Sequence, residues 1–173
     1  MVEFYLLRHG QTLFNLKEKV QGYNDSPLTE KGIDQAKCAG YGAKDIAFTR
    51  AYCGMAQRQY DTAQAFLSYN SHPVEIIKDF HFNEMCYGKY EGGSYYAMLN
   101  PLYESLRKPY RAYEGLYSFY DDMKIASLLQ ENDETHTFEG PEKTFQRFKE
   151  GLDLLCTSEE GKILISTSSF AIC

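Results

Sequence analysis

Residues 2–15 read VEFYLLRHGQTLFN. Val2–Leu7 is short, apolar and rich in strand formers, and Gly10 closes it off, so it reads as a buried strand with Arg8 and His9 at its carboxyl end. A histidine placed there, between an arginine and a glycine that permits a sharp backbone turn, can present its ring to a phosphate held by the guanidinium. Arg8, the following backbone amides and Asn15 would supply the donors. Taken alone, the Arg-His-Gly triplet reads more readily as a histidine satisfying a buried carbonyl beside an arginine in an ion pair.

Outward from this strand the chain alternates. SPLTEKGIDQAKCAGYG offers Thr29 as a helix cap and Glu30 in the first turn, with Ile33, Ala36 and Gly40 on one face. Ile46–Tyr52 reads as a second strand. Ala56, Tyr60, Ala63 and Leu67 then recur at helical spacing, with Gln57, Asp61 and Gln64 on the exposed side. Val74–Ile77 is a third strand. Residues 94–130 are tyrosine-rich and broken by Pro101 and Pro109, and they read as helical excursions away from the sheet. Phe145, Phe148, Leu152 and Leu155 stripe a helix behind Pro141, a favourable first-turn residue, before a fourth strand at Lys162–Ser166. Strands alternating with helices predict an α/β fold, a mostly parallel sheet covered on both faces. Such sheets bind ligands beyond their carboxyl ends, where Arg8 and His9 lie.

The chain of 173 residues suits one domain, 1–173, with 94–130 as a helical insertion over the site. Apolar residues at 43% and charged residues at 24% describe a chain that folds rather than a disordered one. A net charge of −6 argues against a general nucleic-acid or membrane-surface binder, yet a locally basic pocket can still take a small anion. No apolar run approaches the roughly 20 residues of a membrane span, and no basic segment with a signal core opens the chain, so a cytoplasmic protein is expected. Cys38, Cys53, Cys86, Cys156 and Cys173 are odd in number and lack CxxC spacing, which predicts free thiols rather than a disulfide framework or a zinc site. The 15 tyrosines beside no tryptophan carry no functional reading of their own.

RHGQTLFN, QGYNDSPLTEKGIDQA, the Arg58 and Thr62-Ala63 portion of AQRQYDTA, and NEMCYGKYEG occur in an order and spacing that resembles the histidine phosphatase superfamily, which includes the cofactor-dependent phosphoglycerate mutases. The resemblance covers most of the chain. It implies a phosphoglycerate mutase-like fold and a nucleophilic role for His9, which would accept a phosphoryl group on its ring. Arg8 and Arg58 would clamp the phosphate oxygens, with Asn15 as a neutral donor. Glu84 matches the family's general acid, and such a group must keep its proton near neutral pH. Gln21 and Gly22 match the loop lining the substrate pocket, and Tyr87 a neighbouring contact. The implied reaction is hydrolysis of a small phosphomonoester through phosphohistidine, needing no cofactor and no metal. A phosphoglycerate mutase and a non-catalytic binder of phosphorylated ligands are the alternatives; KYEGG leans slightly towards hydrolysis.

Near its end the chain departs from the family. Where Ser-His-Gly is usual, ILISTSSF puts Thr167 at the histidine position and Ser168 at the glycine position. A hydroxyl cannot carry an imidazolium's charge, and removing one such donor costs roughly 10²–10³ in rate. His81 and His136 are the remaining candidates for that role. The family also has another helix and strand beyond this point, so an uncovered sheet edge, and with it a homodimer, is a further expectation.

Overall fold

The computed structural model describes residues 1–112 and 114–172; Tyr113 and Cys173, with the expectation for the Cys173 thiol, lie outside them. Strand β1 (Val2–Arg8) leads to the short α1 (Leu13–Leu16) and to α2 (Glu30–Gly42). Then come β2 (Phe48–Cys53), α3 (Gln57–Leu67) and β3 (Ile76–Lys78). Two 3₁₀ turns, Phe80–Phe82 and Gly88–Tyr90, precede α4 (Tyr95–Ser105), and a third at Glu114–Ser118 precedes α5 (Asp122–Glu131). The order ends with α6 (Pro141–Ser158), β4 (Gly161–Thr167) and α7 (Ser169–Ile172). Among the described residues Cys38, Cys53, Cys86 and Cys156 are free thiols, and no helix is long and apolar enough to cross a membrane.

The sheet runs β1-β4-β2-β3, and every pairing is parallel. Its period of two is plain along β4. Ile163 and Ile165 pack with Tyr52, Phe82, Phe148 and Leu155 on the α6 side, whereas Leu164 packs with Phe48, Ala51 and Phe66 on the opposite side. Both faces are therefore covered, as an all-parallel sheet requires. The register of β1 on β4 runs unbroken from Val2 opposite Gly161 to Arg8 opposite Thr167, so both strands deliver their last residues to the same edge. Residues 95–131 build a separate cluster in which Met98, Leu99, Leu102, Leu116, Ile125 and Leu129 bury one another against Val20 and Met85.

Five local readings are corrected. Val2–Arg8 is a strand, but it stands at the edge of the sheet and is not buried, with Leu6 44% exposed. The inward face of α2 is Gly32, Ala36 and Gly40, while Ile33 points to solvent at 36% exposure. The Thr29 cap is present, its hydroxyl accepting from the Gly32 amide at 3.0 Å. On α6, Phe145 is 67% exposed, because the buried stripe runs through Thr144, Arg147, Phe148, Gly151 and Leu155, one helical step away. Pro101 does not break the chain; it sits inside α4. Strands β2 and β3 each begin two residues later than their apolar patterns suggest, at Phe48 and Ile76.

Small residues on α2 have a steric cause. A Cβ on Gly32 would collide with the Gln11 carbonyl, and one on Gly40 with the Phe66 carbonyl of α3, so α2 is drawn in until backbone meets backbone. Gly42, one half-turn on, has no neighbour within 4 Å of such a Cβ. Gly40→Ala should therefore lose about 1–3 kcal/mol to overpacking, whereas Gly42→Ala should be neutral or gain up to about 1 kcal/mol. Urea unfolding of the two variants checks this, and equal effects would show that the helix contact tolerates a methyl group.

Candidate active site

His9 follows directly on β1, and its amide donates to the Thr167 carbonyl at 3.0 Å, extending the ladder by one rung. Its ring Nδ1 lies 2.8 Å from the Gly10 carbonyl oxygen. A carbonyl can only accept, so Nδ1 carries the proton and Nε2 keeps its lone pair. Burial, followed by the positive charge of Arg58, pushes the His9 pKa down to about 4; the Gly10 bond opposes this and Arg8 adds to it. The ring is thus neutral at pH 7. Gly10 does not use a left-handed backbone. It is glycine because α2 approaches too closely, a Cβ there meeting the Gly32 backbone. Its amide donates to Thr62 Oγ1 at 3.1 Å, and Thr62 in turn donates to the Arg58 carbonyl at 2.7 Å, which ties the histidine's turn to α3.

Arg58 is fully buried. Nη1 donates to the Asn24 carbonyl at 2.9 Å and to Asp25 Oδ1 at 3.1 Å; Nη2 donates to the Gly22 carbonyl at 2.9 Å and lies 3.5 Å from Ser168 Oγ. Nε is buried with no hydrogen-bond partner among the described residues. Arg8 contrasts with it: exposed, and with no ion pair among the described residues. It lines two clefts, one of about 480 Å³ shared with His9, Gly10 and Asn15, and one of about 600 Å³ shared with Tyr87 and Phe170.

Asn15 Oδ1 accepts from the Thr12 amide at 2.9 Å and the Asn15 amide donates to Thr12 Oγ1 at 3.2 Å, a reciprocal cap on α1, and Asn15 lines the cleft that holds His9. Gln21 is buried, with Oε1 accepting from Thr12 Oγ1 at 2.7 Å, so it braces the same turn. The Gly22 loop is organised by a residue to which sequence reasoning gave no role. Glu91 accepts the amides of Gly22, Tyr23, Asn24 and Tyr87 at 2.8–3.2 Å. Two of those residues, Gly22 and Asn24, are the ones whose carbonyls receive Arg58. Tyr87 also sets its ring edge-on to Phe138 at 5.6 Å.

Glu84 is 4% exposed, and burial raises its pKa, against the two amides it accepts and the charges of Arg58 and Arg147. Met85 N–H donates to Oε1 at 2.8 Å and Phe170 N–H, from α7, to Oε2 at 3.1 Å. The charge of Arg58 thus reaches both His9 and Glu84. A second unforeseen residue holds the segment that carries Glu84 in place. Arg147 donates to the carbonyls of Phe80, His81, Asn83 and Glu84 at 2.8–3.2 Å and to both oxygens of Glu139 at 2.8 and 2.9 Å. The only trace of this in the sequence is an arginine in register with the apolar stripe of α6.

Thr167 is buried and donates its hydroxyl proton to the Phe82 carbonyl at 2.7 Å, so a bond to a bound phosphate would have to displace that one. Ser168 is buried beside Arg58, accepting from Gln59 Nε2 at 3.1 Å. Neither alternative histidine is brought here. His81 pairs with Asp79 at 2.7 Å in a separate groove against Arg147, and His136 is exposed in a left-handed turn.

Residues 4–116 match the model of the histidine phosphatase superfamily (branch 1). Over 93 residues the chain is 34% identical to the 2,3-bisphosphoglycerate-dependent phosphoglycerate mutase 2 of Gloeobacter violaceus, covering 53% of this chain and 42% of that one. Over 90 residues it is 33% identical to the adenosylcobalamin/alpha-ribazole phosphatase of Escherichia coli, covering 52% and 43%. The chain thus spans less than half the length of these two relatives. In structure it resembles phosphoglycerate mutase from Bacillus anthracis, with a TM-score of 0.87 and 28% identity across 98% of this chain and 75% of that one. A parallel sheet ending in Arg8-His9-Gly10, with a family match that spans both this motif and the Arg58 and Glu84 segments, makes the chain a member of the histidine phosphatase superfamily.

Proposed function

We propose that the chain is a phosphomonoester hydrolase that works on a small phosphorylated metabolite through a phosphohistidine at His9. The observation that carries this reading is the His9 ring, neutral and with Nδ1–H committed to Gly10, which leaves Nε2 as the nucleophile. Nε2 attacks phosphorus, the bond to the leaving oxygen breaks, and Glu84 gives its proton to that oxygen. The phosphorylated ring gains a positive charge, which the Gly10 carbonyl, already bonded to Nδ1–H, is placed to stabilise. Water then attacks phosphorus and passes a proton back to the Glu84 carboxylate. The phosphorus–nitrogen bond breaks, and inorganic phosphate leaves with His9 restored.

Charge on the transferring group is met directly by Arg8 and the Asn15 amide and at longer range by Arg58, whose Nη groups are already bonded to the Gly22–Asp25 loop, with no step assigned to a metal. The relatives' names divide between mutase and phosphatase, so 2- and 3-phosphoglycerate belong in any substrate panel. Phosphate binding without turnover would instead identify a non-catalytic binder, for which the prior commitment of the Thr167 hydroxyl is the supporting observation.

His9→Ala should abolish hydrolysis of every ester that the wild type accepts, while chelator leaves the wild-type rate unchanged. Persistence in the variant, or loss with chelator, would sink the mechanism. The rate should also trace a bell against pH. Its acid limb falls as His9 protonates near pH 4, because the lowered pKa keeps the nucleophile free above that point. Its alkaline limb falls as Glu84 ionises, at a pH above the ordinary carboxylate range because burial raises that pKa. Glu84→Gln should erase the alkaline limb and slow alkyl esters by roughly 10²–10⁴; an unmoved limb would assign it to another group.

Arg147 touches neither cleft lined by Arg8, but it fixes the backbone that carries Glu84. Arg147→Met should therefore lose about 10²-fold on propyl phosphate, whose leaving oxygen needs a proton, and about tenfold less on p-nitrophenyl phosphate, which does not. Equal losses on both esters would mark Arg147 as structural only.

A further inference from the structure

The larger cleft over Arg8 has a composition that selects among phosphomonoesters. Tyr87, Tyr95, Tyr110, Tyr117 and Phe170 line its volume of about 600 Å³, with Met98 among them. Several of these rings are fixed by others. Tyr87 stands edge-on to Phe138 at 5.6 Å, and Tyr110 stands edge-on to Tyr96 at 4.8 Å and to Tyr103 at 5.4 Å. Tyr117 donates its hydroxyl to Asp122 at 2.8 Å. Rings held this way have little rotamer freedom to lose when a planar group slides between them.

The charges along the same cleft are unequal. Arg8 is the one cation among the described residues that line it, and Glu18 and Asp122 add two carboxylates. Arg8 also lines the smaller cleft with His9, so a phosphate held between Arg8 and His9 uses up that cation. Any second anionic group on the ligand would then face two like charges, with no further guanidinium or ammonium among the described lining residues. A neutral or positively charged group meets no such penalty.

We infer that the cleft takes the alcohol portion of the substrate and selects a phosphomonoester whose alcohol bears an aromatic ring and no second anion. This rests on the reading that phosphate is held at Arg8 and His9. It separates the chain's substrate from a phosphoglycerate, whose carboxylate would enter a cleft that already carries Glu18 and Asp122. It also gives the abundance of tyrosine a use, because four of the rings in this cleft are tyrosines.

Phosphonates, which cannot be hydrolysed, test the inference without turnover. Isothermal titration of the full chain with benzylphosphonate, propylphosphonate and 3-phosphonopropanoate should give affinities in that descending order. The benzyl compound should bind about tenfold more tightly than the propyl one, the yield of a favourable aromatic contact. Tyr110→Ala, and separately Tyr95→Leu, should bring the benzyl-to-propyl ratio towards one, each variant first being shown to unfold at the wild-type temperature. Glu18→Lys should tighten 3-phosphonopropanoate severalfold. Equal binding of benzyl and propyl compounds, a preference for 3-phosphonopropanoate in the wild type, or no binding of any phosphonate would overturn the inference. If the predicted order holds while no phosphomonoester is hydrolysed, the hydrolase reading falls and the cleft assignment stands.

Discussion

A guanidinium withdrawn entirely from water must find its hydrogen-bond partners within the protein, and Arg58 imposes that demand on everything around it. Its partners are loop carbonyls at Gly22 and Asn24 together with the Asp25 carboxylate. A loop bending so that its carbonyls point inward turns its own amides elsewhere, and the Glu91 carboxylate collects three of them plus the Tyr87 amide. Burying one positive charge thus goes with the path of the Gly22–Asp25 loop and the place of Glu91. Thr62, one turn along α3, carries the same constraint to the turn after His9 through the Gly10 amide.

The same charge lowers the proton affinity of both groups that the proposed double displacement needs in opposite states, and burial is what separates them. His9 is kept deprotonated by burial and by Arg58. Burial raises the Glu84 pKa against the opposing charges of Arg58 and Arg147. Desolvation acts on both, but it destabilises the cation of one and the anion of the other. One dry environment therefore lowers the pKa of the imidazole and raises that of the carboxyl group, the directions that the proposed nucleophile and acid require.

Much of this was legible along the chain. The strand at Val2–Leu7 and the Thr29 cap are local signals, set by strand-forming side chains and by unsatisfied helix amides, and both elements form, although the strand stands half-exposed at the sheet's edge where a buried one was expected. Local signals failed where distant backbone intruded. Ile33 and Phe145 lie on the outer faces of their helices because glycines on α2 and Arg147 on α6 occupy the inner ones, and neither a close backbone approach nor a fan of carbonyls leaves a period to read. Gly10 was foreseen as necessary but for the wrong reason, since what excludes a side chain there is α2, more than twenty residues away. Glu91 and Arg147 bind chiefly main-chain groups, whose positions no side-chain pattern encodes.

Phe170 occupies two places at once. Its side of the chain borders the tyrosine-lined cleft, while its backbone N–H reaches Glu84 Oε2 at 3.1 Å. That amide favours the ionised carboxylate, so moving it away makes Glu84 hold its proton more firmly. A molecule that shifts the short α7 on entering the cleft therefore changes an acidity constant as well as filling space. By thermodynamic linkage the influence runs in both directions: ionisation of Glu84 pulls on Phe170 and alters how readily the cleft is filled.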